Sequence, residues 1–135
     1  MFLLDSCVCI DFLRGNLKKG YDLMCKSDPR LFKIPSVVQA ELLLGAAKSN
    51  NPDTNRFFVE QFLLPFDILP FDSRCARECA SIRSCLEKEG KKIGPNDLMI
   101  ASIARAHNAV LVTHNMREFK RVPGIELEDW AEVVF

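Results

Sequence analysis

The chain has 135 residues, and its 18 basic and 18 acidic side chains give a formal net charge of zero. This length is close to that of one ordinary domain and suffices for a core without stabilising disulfides or metals. The neutral charge excludes a domain that is basic over its whole surface, although a local basic patch stays possible. No run of about 18 apolar residues is present, which excludes a membrane-spanning helix.

The six cysteines are interpreted as small core residues rather than as zinc ligands or disulfide partners. Cys75, Cys79, Ile82 and Leu86 recur at the spacing of one helical face. No signal peptide is expected, because Asp5 interrupts the N-terminal apolar run. Free thiols without a signal peptide predict a cytoplasmic protein.

Short apolar runs alternate with longer helical patterns along the whole chain. In chain order we predict a strand at Phe2–Leu4, helices at Ser6–Arg14 and Leu17–Ser27, a strand at Leu31–Ile34, helices at Ser36–Ser49 and Asp53–Leu64, a strand at Phe66–Leu69, helices at Ser73–Gly90 and Pro95–His107, and strands at Val110–Thr113 and Ile125–Leu127. Such alternation implies parallel strand pairing with right-handed crossovers. The prediction is one domain over residues 1–135, an α/β/α sandwich of three layers around a mostly parallel sheet of four or five strands.

Three acidic side chains lie within or directly beside apolar segments that are expected to be buried. Asp5 ends the first strand, Glu41 lies in an apolar helix, and Asp97 opens another apolar helix. Several buried carboxylates repel one another unless a cation lies between them, and Mg²⁺ or Mn²⁺ serving phosphodiester chemistry is the leading candidate. Helix capping by Asp5 or Asp97, and a solvated position for Glu41, are the alternatives.

The segment after the fourth strand offers two further oxygen ligands, Asn115 and Glu118. An exposed loop with an Arg117–Glu118 surface pair is the alternative for this segment. Asp11 and Arg14 have the spacing of a surface ion pair. His114 is expected to lie at the surface, close enough to the crevice to touch a substrate.

Several segments occur together in an order and spacing typical of one family. They are Leu3–Ser6, Ala40–Ala46, Ile93–Ala101, Leu111–Phe119 and Arg121–Ile125, with Glu128–Trp130 after them. With these segments, essentially the whole chain resembles a PIN-domain ribonuclease, specifically a VapC-type toxin of a type II toxin–antitoxin pair. The set of segments carries the resemblance, since no single one is specific.

The resemblance implies an endoribonuclease that depends on Mg²⁺ or Mn²⁺, with Asp5, Glu41 and Asp97 as core acids. The position where the family usually has a fourth acid is here Asn115, so Asn115 as a metal ligand or Glu118 as a catalytic acid would complete the site. Cys7 departs from the family in a similar way, because many relatives have Asn there. The hydroxyl groups that would line the site belong to Ser6 and Thr113.

The resemblance also implies RNA as substrate, often transfer RNA, a VapB-type antitoxin as partner, and a homodimer. An RNA backbone drawn past acidic side chains requires a basic rim. The candidates for this rim are Lys91, Lys92, Arg117, Lys120 and Arg121. The apolar side chains that either pack in the core or form an antitoxin groove are Phe57, Phe58, Phe62, Leu63 and Leu64.

Two other functions compete with this one. An Asp-based phosphatase is also an α/β sandwich with an Asp after its first strand, but it would need a second Asp where this chain has Cys7. A PIN-like domain that binds RNA or a partner with weak or no cleavage would explain the missing fourth acid.

Overall fold

The computed structural model describes residues 1–15 and 18–130 of the chain. The strands are β1 (Phe2–Leu4), β2 (Phe32–Pro35), β3 (Asp67–Leu69), β4 (Val110–Val112) and β5 (Glu126–Glu128). The helices are α1 (Ser6–Leu13), α2 (Lys18–Lys26), α3 (Ser36–Ala47), α4 (Pro52–Leu63), α5 (Ser73–Lys88), α6 (Pro95–Ala106) and α7 (Met116–Phe119). A short 3-10 helix, Pro29–Leu31, precedes β2. None of the helices in the described ranges is long and apolar enough to cross a membrane.

The strands form one five-stranded sheet in the order β3-β2-β1-β4-β5, and every neighbouring pair is parallel. This confirms the predicted three-layer α/β fold, with five strands rather than four. The chain builds the sheet outward from β1 in one direction through β2 and β3, and in the other through β4 and β5. The point where this direction reverses lies between β1 and β4, which is where open α/β sheets bind ligands at the carboxyl ends of their strands.

Apolar side chains cover both faces of the central strands. Leu3 and Leu4 of β1 have no exposed surface, and Leu111 and Val112 of β4 are equally buried. Continuous apolar runs of this kind are typical of parallel strands covered by helices on both sides. The helices α1, α3 and α4 pack together, and α5 packs on α6.

The cysteine face of α5 is confirmed as part of the core. Cys75, Ile82 and Leu86 are buried, and Cys79 is partly buried against them. All six cysteines are free thiols. The helix begins where Asp72 accepts a hydrogen bond from the Cys75 backbone N–H at 3.1 Å, a side-chain cap.

Some predicted boundaries were wrong. The second strand, predicted at Leu31–Ile34, is β2 at Phe32–Pro35, and its Pro35 pairs with Leu69. A proline can end a strand in this way, since it lacks the backbone N–H but keeps its carbonyl group. Residues 116–119 form the helical turn α7 rather than a loop. Leu17, the predicted start of the second helix, and residues 131–135, the end of the predicted domain, lie outside the described residues.

Candidate active site

Asp5 lies at the carboxyl end of β1 and is also the N-cap of α1. Its Oδ1 accepts a hydrogen bond from the Ser6 backbone N–H at 2.8 Å. Its Oδ2 accepts one from the hydroxyl of Thr113, directly after β4, at 2.7 Å. Only 4% of Asp5 is exposed. The carboxylate therefore caps a helix with one oxygen and joins the two strands at the switch point with the other, so capping alone does not describe it.

Glu41 approaches the same place from α3. Its Oε2 accepts a hydrogen bond from the Ser6 hydroxyl at 3.4 Å, while no described residue donates one to its buried Oε1. Burial raises the pKa of Glu41, and the negative charge of Asp5 raises it further. A buried carboxylate oxygen without a donor is costly, and this is the feature that a bound cation would satisfy.

Asp97 lies in the first turn of α6 and is the most perturbed of the acids. Its pKa is raised from 3.8 to about 7, first by burial, then by a hydrogen bond with Glu118 and by the negative charges of Asp5, Glu118 and Glu41. These electrostatic effects require the acids to lie near one another. The structure therefore brings together the carboxyl groups of β1, α3 and α6, as the strand arrangement predicts.

Asn115 and Glu118 form a small hydrogen-bonded group beside Asp97. The Nδ2 of Asn115 donates to Asp97 Oδ2 at 3.3 Å and to Glu118 Oε2 at 2.8 Å. The other oxygen of Glu118, Oε1, accepts from the Gly94 backbone N–H at 2.9 Å. The hydrogen bonds from Asn115 and Gly94 lower the pKa of Glu118. Because both Glu118 oxygens have donors and α7 is folded against the site, the exposed-loop alternative is wrong.

The donor set suits a hard divalent cation. Within the described ranges, no group of three or more His, Cys, Asp or Glu side chains forms a ready metal-binding cluster. Mg²⁺ does not require one, since it is commonly held by one or two carboxylates, water and substrate phosphates. The Glu41 oxygen without a donor among the described residues and the mutual repulsion of the acids agree with such a site.

Cys7 lies within the site rather than beside it. Its Sγ is 3.6 Å from Asp5 Oδ2 and 3.7 Å from Thr113 Oγ1, and it accepts the His114 backbone N–H at 3.4 Å. Burial and then the charge of Asp5 raise the pKa of this thiol. Cys7 therefore remains a neutral thiol at this position.

The predicted Asp11–Arg14 surface pair is wrong, because Asp11 contacts His114, whose side chain is 24% exposed. His114 lies between two carboxylates, with Nε2 2.6 Å from Asp11 Oδ2 and Nδ1 2.8 Å from Asp129 Oδ1. Burial opposes the charge of His114, but its hydrogen bonds to Asp129 and Asp11 outweigh this, so its pKa is raised above 6.5. Sequence reasoning missed this contact because Asp11 and His114 are 103 residues apart, whereas Arg14 is three residues away.

The basic side chains nominated for the rim are exposed, and two of their segments meet. The guanidinium of Arg121, after α7, donates from Nη1 to the Lys92 backbone carbonyl, before α6, at 2.9 Å. Arg121 also lies close enough to lower the pKa of Glu118, though less than the hydrogen bonds do. The exposed members of this set are Lys91, Lys92, Arg117, Lys120 and Arg121.

Comparison with known proteins identifies the family. The family model of the PIN domain matches residues 2–125. The chain is 37% identical over 133 residues to the ribonuclease VapC2 of Rickettsia felis, covering 96% of this chain and 98% of that protein. It is 37% identical over 139 residues to a tRNA(fMet)-specific endonuclease VapC of Shigella flexneri, with 96% and 98% covered.

Solved structures agree with the sequence relatives. A chain of the DNA-bound VapBC structure from Salmonella typhimurium superposes with a TM-score of 0.90 at 36% identity, covering 96% of this chain and 97% of that one. A VapBC2 complex of Rickettsia felis bound to a promoter DNA fragment gives a TM-score of 0.87 at 36% identity, with 96% and 98% covered. PIN-domain nucleases generally depend on a divalent metal ion. The protein belongs to the PIN-domain family and, within it, to the VapC ribonucleases of toxin–antitoxin systems.

Proposed function

We propose that this VapC ribonuclease cleaves transfer RNA internally in a reaction that depends on Mg²⁺ or Mn²⁺, and that an antitoxin restrains it. The observation that carries the proposal is the meeting of Asp5, Glu41 and Asp97 at the switch point, with a buried Glu41 oxygen that no described residue satisfies. Transfer RNA is proposed because similar proteins of Shigella flexneri and Salmonella typhimurium are named tRNA(fMet)-specific endonucleases.

The chain's own residues divide into holding and orienting groups. Asp5, Glu41 and Asp97 would hold the cation, which when bound lowers the pKa of a water and neutralises phosphate charge. The hydroxyl of Thr113 fixes the Oδ2 of Asp5. Asn115 orients Asp97, and Glu118, which already accepts two hydrogen bonds, holds Asn115 in place. An oxygen of Asn115 remains a candidate ligand.

The basic rim would bind the RNA backbone beside the acids. The Arg121–Lys92 contact joins the segment before α6 to the segment after α7, and Arg121 lies near Glu118, which supports a basic rim beside the acids. Phosphate contacts of this kind position a nucleic acid without reading its bases. Recognition of one transfer RNA would therefore depend on the shape of the RNA and on where its loop reaches the acids.

The antitoxin site is proposed at an apolar groove between α1, α3 and α4. Glu41 is among the residues that line the groove, and the apolar lining consists of Ile10, Leu13, Leu42, Ala46, Phe58 and Val59. Phe58 is 56% exposed, whereas Leu63 of the same helix is buried, so the core alternative holds for only part of this apolar set. The structures similar to this chain are VapBC toxin–antitoxin complexes, which supports a VapB-type partner.

Two broader expectations accompany the function. A cytoplasmic location suits an enzyme that acts on RNA, and the six free thiols suit a reducing compartment. A homodimer stays a prediction from the family resemblance. The phosphatase alternative loses its support, because the relatives are named ribonucleases.

Replacement of Asp5 by asparagine tests the function. Asn keeps the shape and can still cap α1, but it removes one charge from the acids. We expect RNA cleavage with Mg²⁺ or Mn²⁺ to fall by on the order of a hundredfold or more, because charge stabilisation at the reacting phosphate is lost. The measurement is cleavage of a transfer RNA pool, with mapping of RNA 5′ ends and circular dichroism as the folding control.

The wild-type products distinguish the proposed chemistry from its alternatives. Attack by water should leave 5′-phosphate and 3′-hydroxyl ends, and chelation of divalent ions should abolish the cuts. Equal cleavage by the wild type and the Asp5→Asn variant would reject this site, and no cleavage by either would favour the non-cleaving binding domain.

A further inference from the structure

The histidine held between two carboxylates is the feature that the proposed function leaves unexplained. The side chains of Asp11, His114 and Asp129 are partly buried, with exposed fractions of 27%, 24% and 9%. Each ring nitrogen of His114 lies within 2.8 Å of a carboxylate oxygen. Both distances are within hydrogen-bonding range, so each carboxylate restrains the ring from its own side. Charge-assisted hydrogen bonds of this length are among the stronger ones in proteins.

The three residues connect three separate parts of the fold. Asp11 belongs to α1, His114 follows β4, and Asp129 follows β5. We name this group the Asp11–His114–Asp129 clamp. It holds the His114 side chain from two sides, one residue beyond the last ladder contact, in which the Thr113 backbone N–H donates to the Glu128 carbonyl at 3.0 Å.

The residues on either side of His114 reach the acids. Thr113 donates to Asp5 at 2.7 Å, and Asn115 donates to Asp97 at 3.3 Å. The backbone N–H of His114 donates to Cys7, whose sulfur lies 3.6 Å from Asp5 Oδ2. A shift of the segment at His114 would therefore move the hydrogen bonds of two proposed cation ligands together.

We propose that His114 is a positioning residue, and that the Asp11–His114–Asp129 clamp holds Thr113 and Asn115 where they align Asp5 and Asp97 for a divalent cation. This inference rests on the proposed metal-dependent function. In this proposal His114 acts through Thr113 and Asn115, not by contact with the cation or the RNA. Groups that orient metal ligands from outside typically contribute a factor of about 10–100 to metal affinity.

The test measures Mn²⁺ binding by calorimetry, without RNA, in the wild type and in the His114→Ala and Asp11→Ala variants. His114→Ala should weaken Mn²⁺ binding by about tenfold, and Asp11→Ala by less, because the Asp129 contact remains. In the double variant, loss of Asp11 should add little to loss of His114, since both act through one clamp.

A matched control separates positioning from general stability. Glu78→Ala removes another partly buried ion pair, the one between Glu78 and Arg105 at 2.8 Å, which joins α5 to α6. It should lower the melting temperature without changing the dissociation constant for Mn²⁺. If His114→Ala does not fold, Asp11→Ala decides the matter alone, because it keeps the histidine and one carboxylate.

The outcomes assign failure to one hypothesis or the other. The clamp would be overturned, and the proposed function left intact, if the wild type binds Mn²⁺ and His114→Ala binds it with the same dissociation constant. Where His114→Ala does not fold, an unchanged dissociation constant in Asp11→Ala would have the same meaning. Weakening by Glu78→Ala equal to that by His114→Ala would also overturn the clamp. A wild type that binds no Mn²⁺ would overturn the metal dependence and the inference with it.

Discussion

Folding strongly raises the proton affinity of the Asp97 carboxyl group. Its pKa rises from 3.8 to about 7, with burial as the largest cause and the hydrogen bond to Glu118 next. A carboxyl group with a raised pKa stabilises the fold in its protonated form, fully so below the unfolded pKa. That contribution is lost as the pH rises from about 4 through about 7. Without a cation, the ionised carboxyl groups around Asp97 therefore destabilise the folded protein at neutral pH, and a bound divalent cation would offset this repulsion.

The Asp97→Asn variant should be more stable than the wild type in the absence of divalent ions, and increasingly so as the pH rises. Denaturant unfolding at several values between about pH 5 and pH 8 measures this difference. We expect a gain on the order of 1 kcal/mol near pH 8, since solvent screens a group that is only partly buried. His114 also loses stabilising charge as the pH rises, but it is present in both proteins, so the difference isolates Asp97.

Added Mg²⁺ should reverse the trend in the wild type. The ligand carboxyl groups must lose their protons to bind a cation, so Mg²⁺ should raise the melting temperature more at about pH 8 than at about pH 5.5. Asp97→Asn should show a smaller increase and no RNA cleavage. Parallel stability curves for the two proteins would contradict the raised pKa.

Two glycines inside helices have opposite surroundings. A Cβ on Gly20 of α2 would lie 2.7 Å from a ring carbon of Trp130 and 3.2 Å from one of Phe12. A Cβ on Gly45 of α3 would meet nothing within 4 Å. The helix α2 can therefore pack against the rings of Trp130 and Phe12 only because Gly20 lacks a side chain. At Gly45 no close packing requires a glycine.

Alanine at these positions should change stability in opposite directions. Gly20→Ala should destabilise the protein by about 1–3 kcal/mol, since overpacking exceeds the helix-propensity gain of about 1 kcal/mol. Gly45→Ala should stabilise it by about 0.5–1 kcal/mol. Urea unfolding followed by the fluorescence of the single tryptophan measures both. A stabilised Gly20→Ala protein would mean that α2 does not pack against Trp130 as described.

The sequence allowed us to predict which site residues lie close together where each of them directly follows a strand of the parallel sheet. Asp5 and Thr113 follow buried apolar runs, and parallel strands present their carboxyl ends at one edge, so their proximity could be predicted. The short helix α7 was missed because its hydrophobic pattern is only four residues long. The clamp at His114 depends on tertiary contacts between distant segments, which local spacing does not encode.

Local spacing also could not assign the apolar residues of α4 to the core or to the groove. Their helical pattern indicated that some face the core, but assigning Phe58 to the groove and Leu63 to the core required the positions of α1 and α3. Phe57 and Phe58 are adjacent, with exposed fractions of 59% and 56%, and only Phe58 lines the groove. They therefore form a matched pair for testing how the toxin engages its partner.

Phe58→Asp should weaken neutralisation by the antitoxin while leaving RNA cleavage by the isolated protein unchanged. A charge placed in an apolar groove loses hydration when a partner covers it, and the lost aromatic contact adds to this cost. We expect at least about a tenfold increase in the dissociation constant, measured by calorimetry with the cognate antitoxin, whereas Phe57→Asp should change it less than about twofold. Equal weakening by the two variants, or weakening by Phe57→Asp alone, would move the antitoxin site away from the groove between α1, α3 and α4.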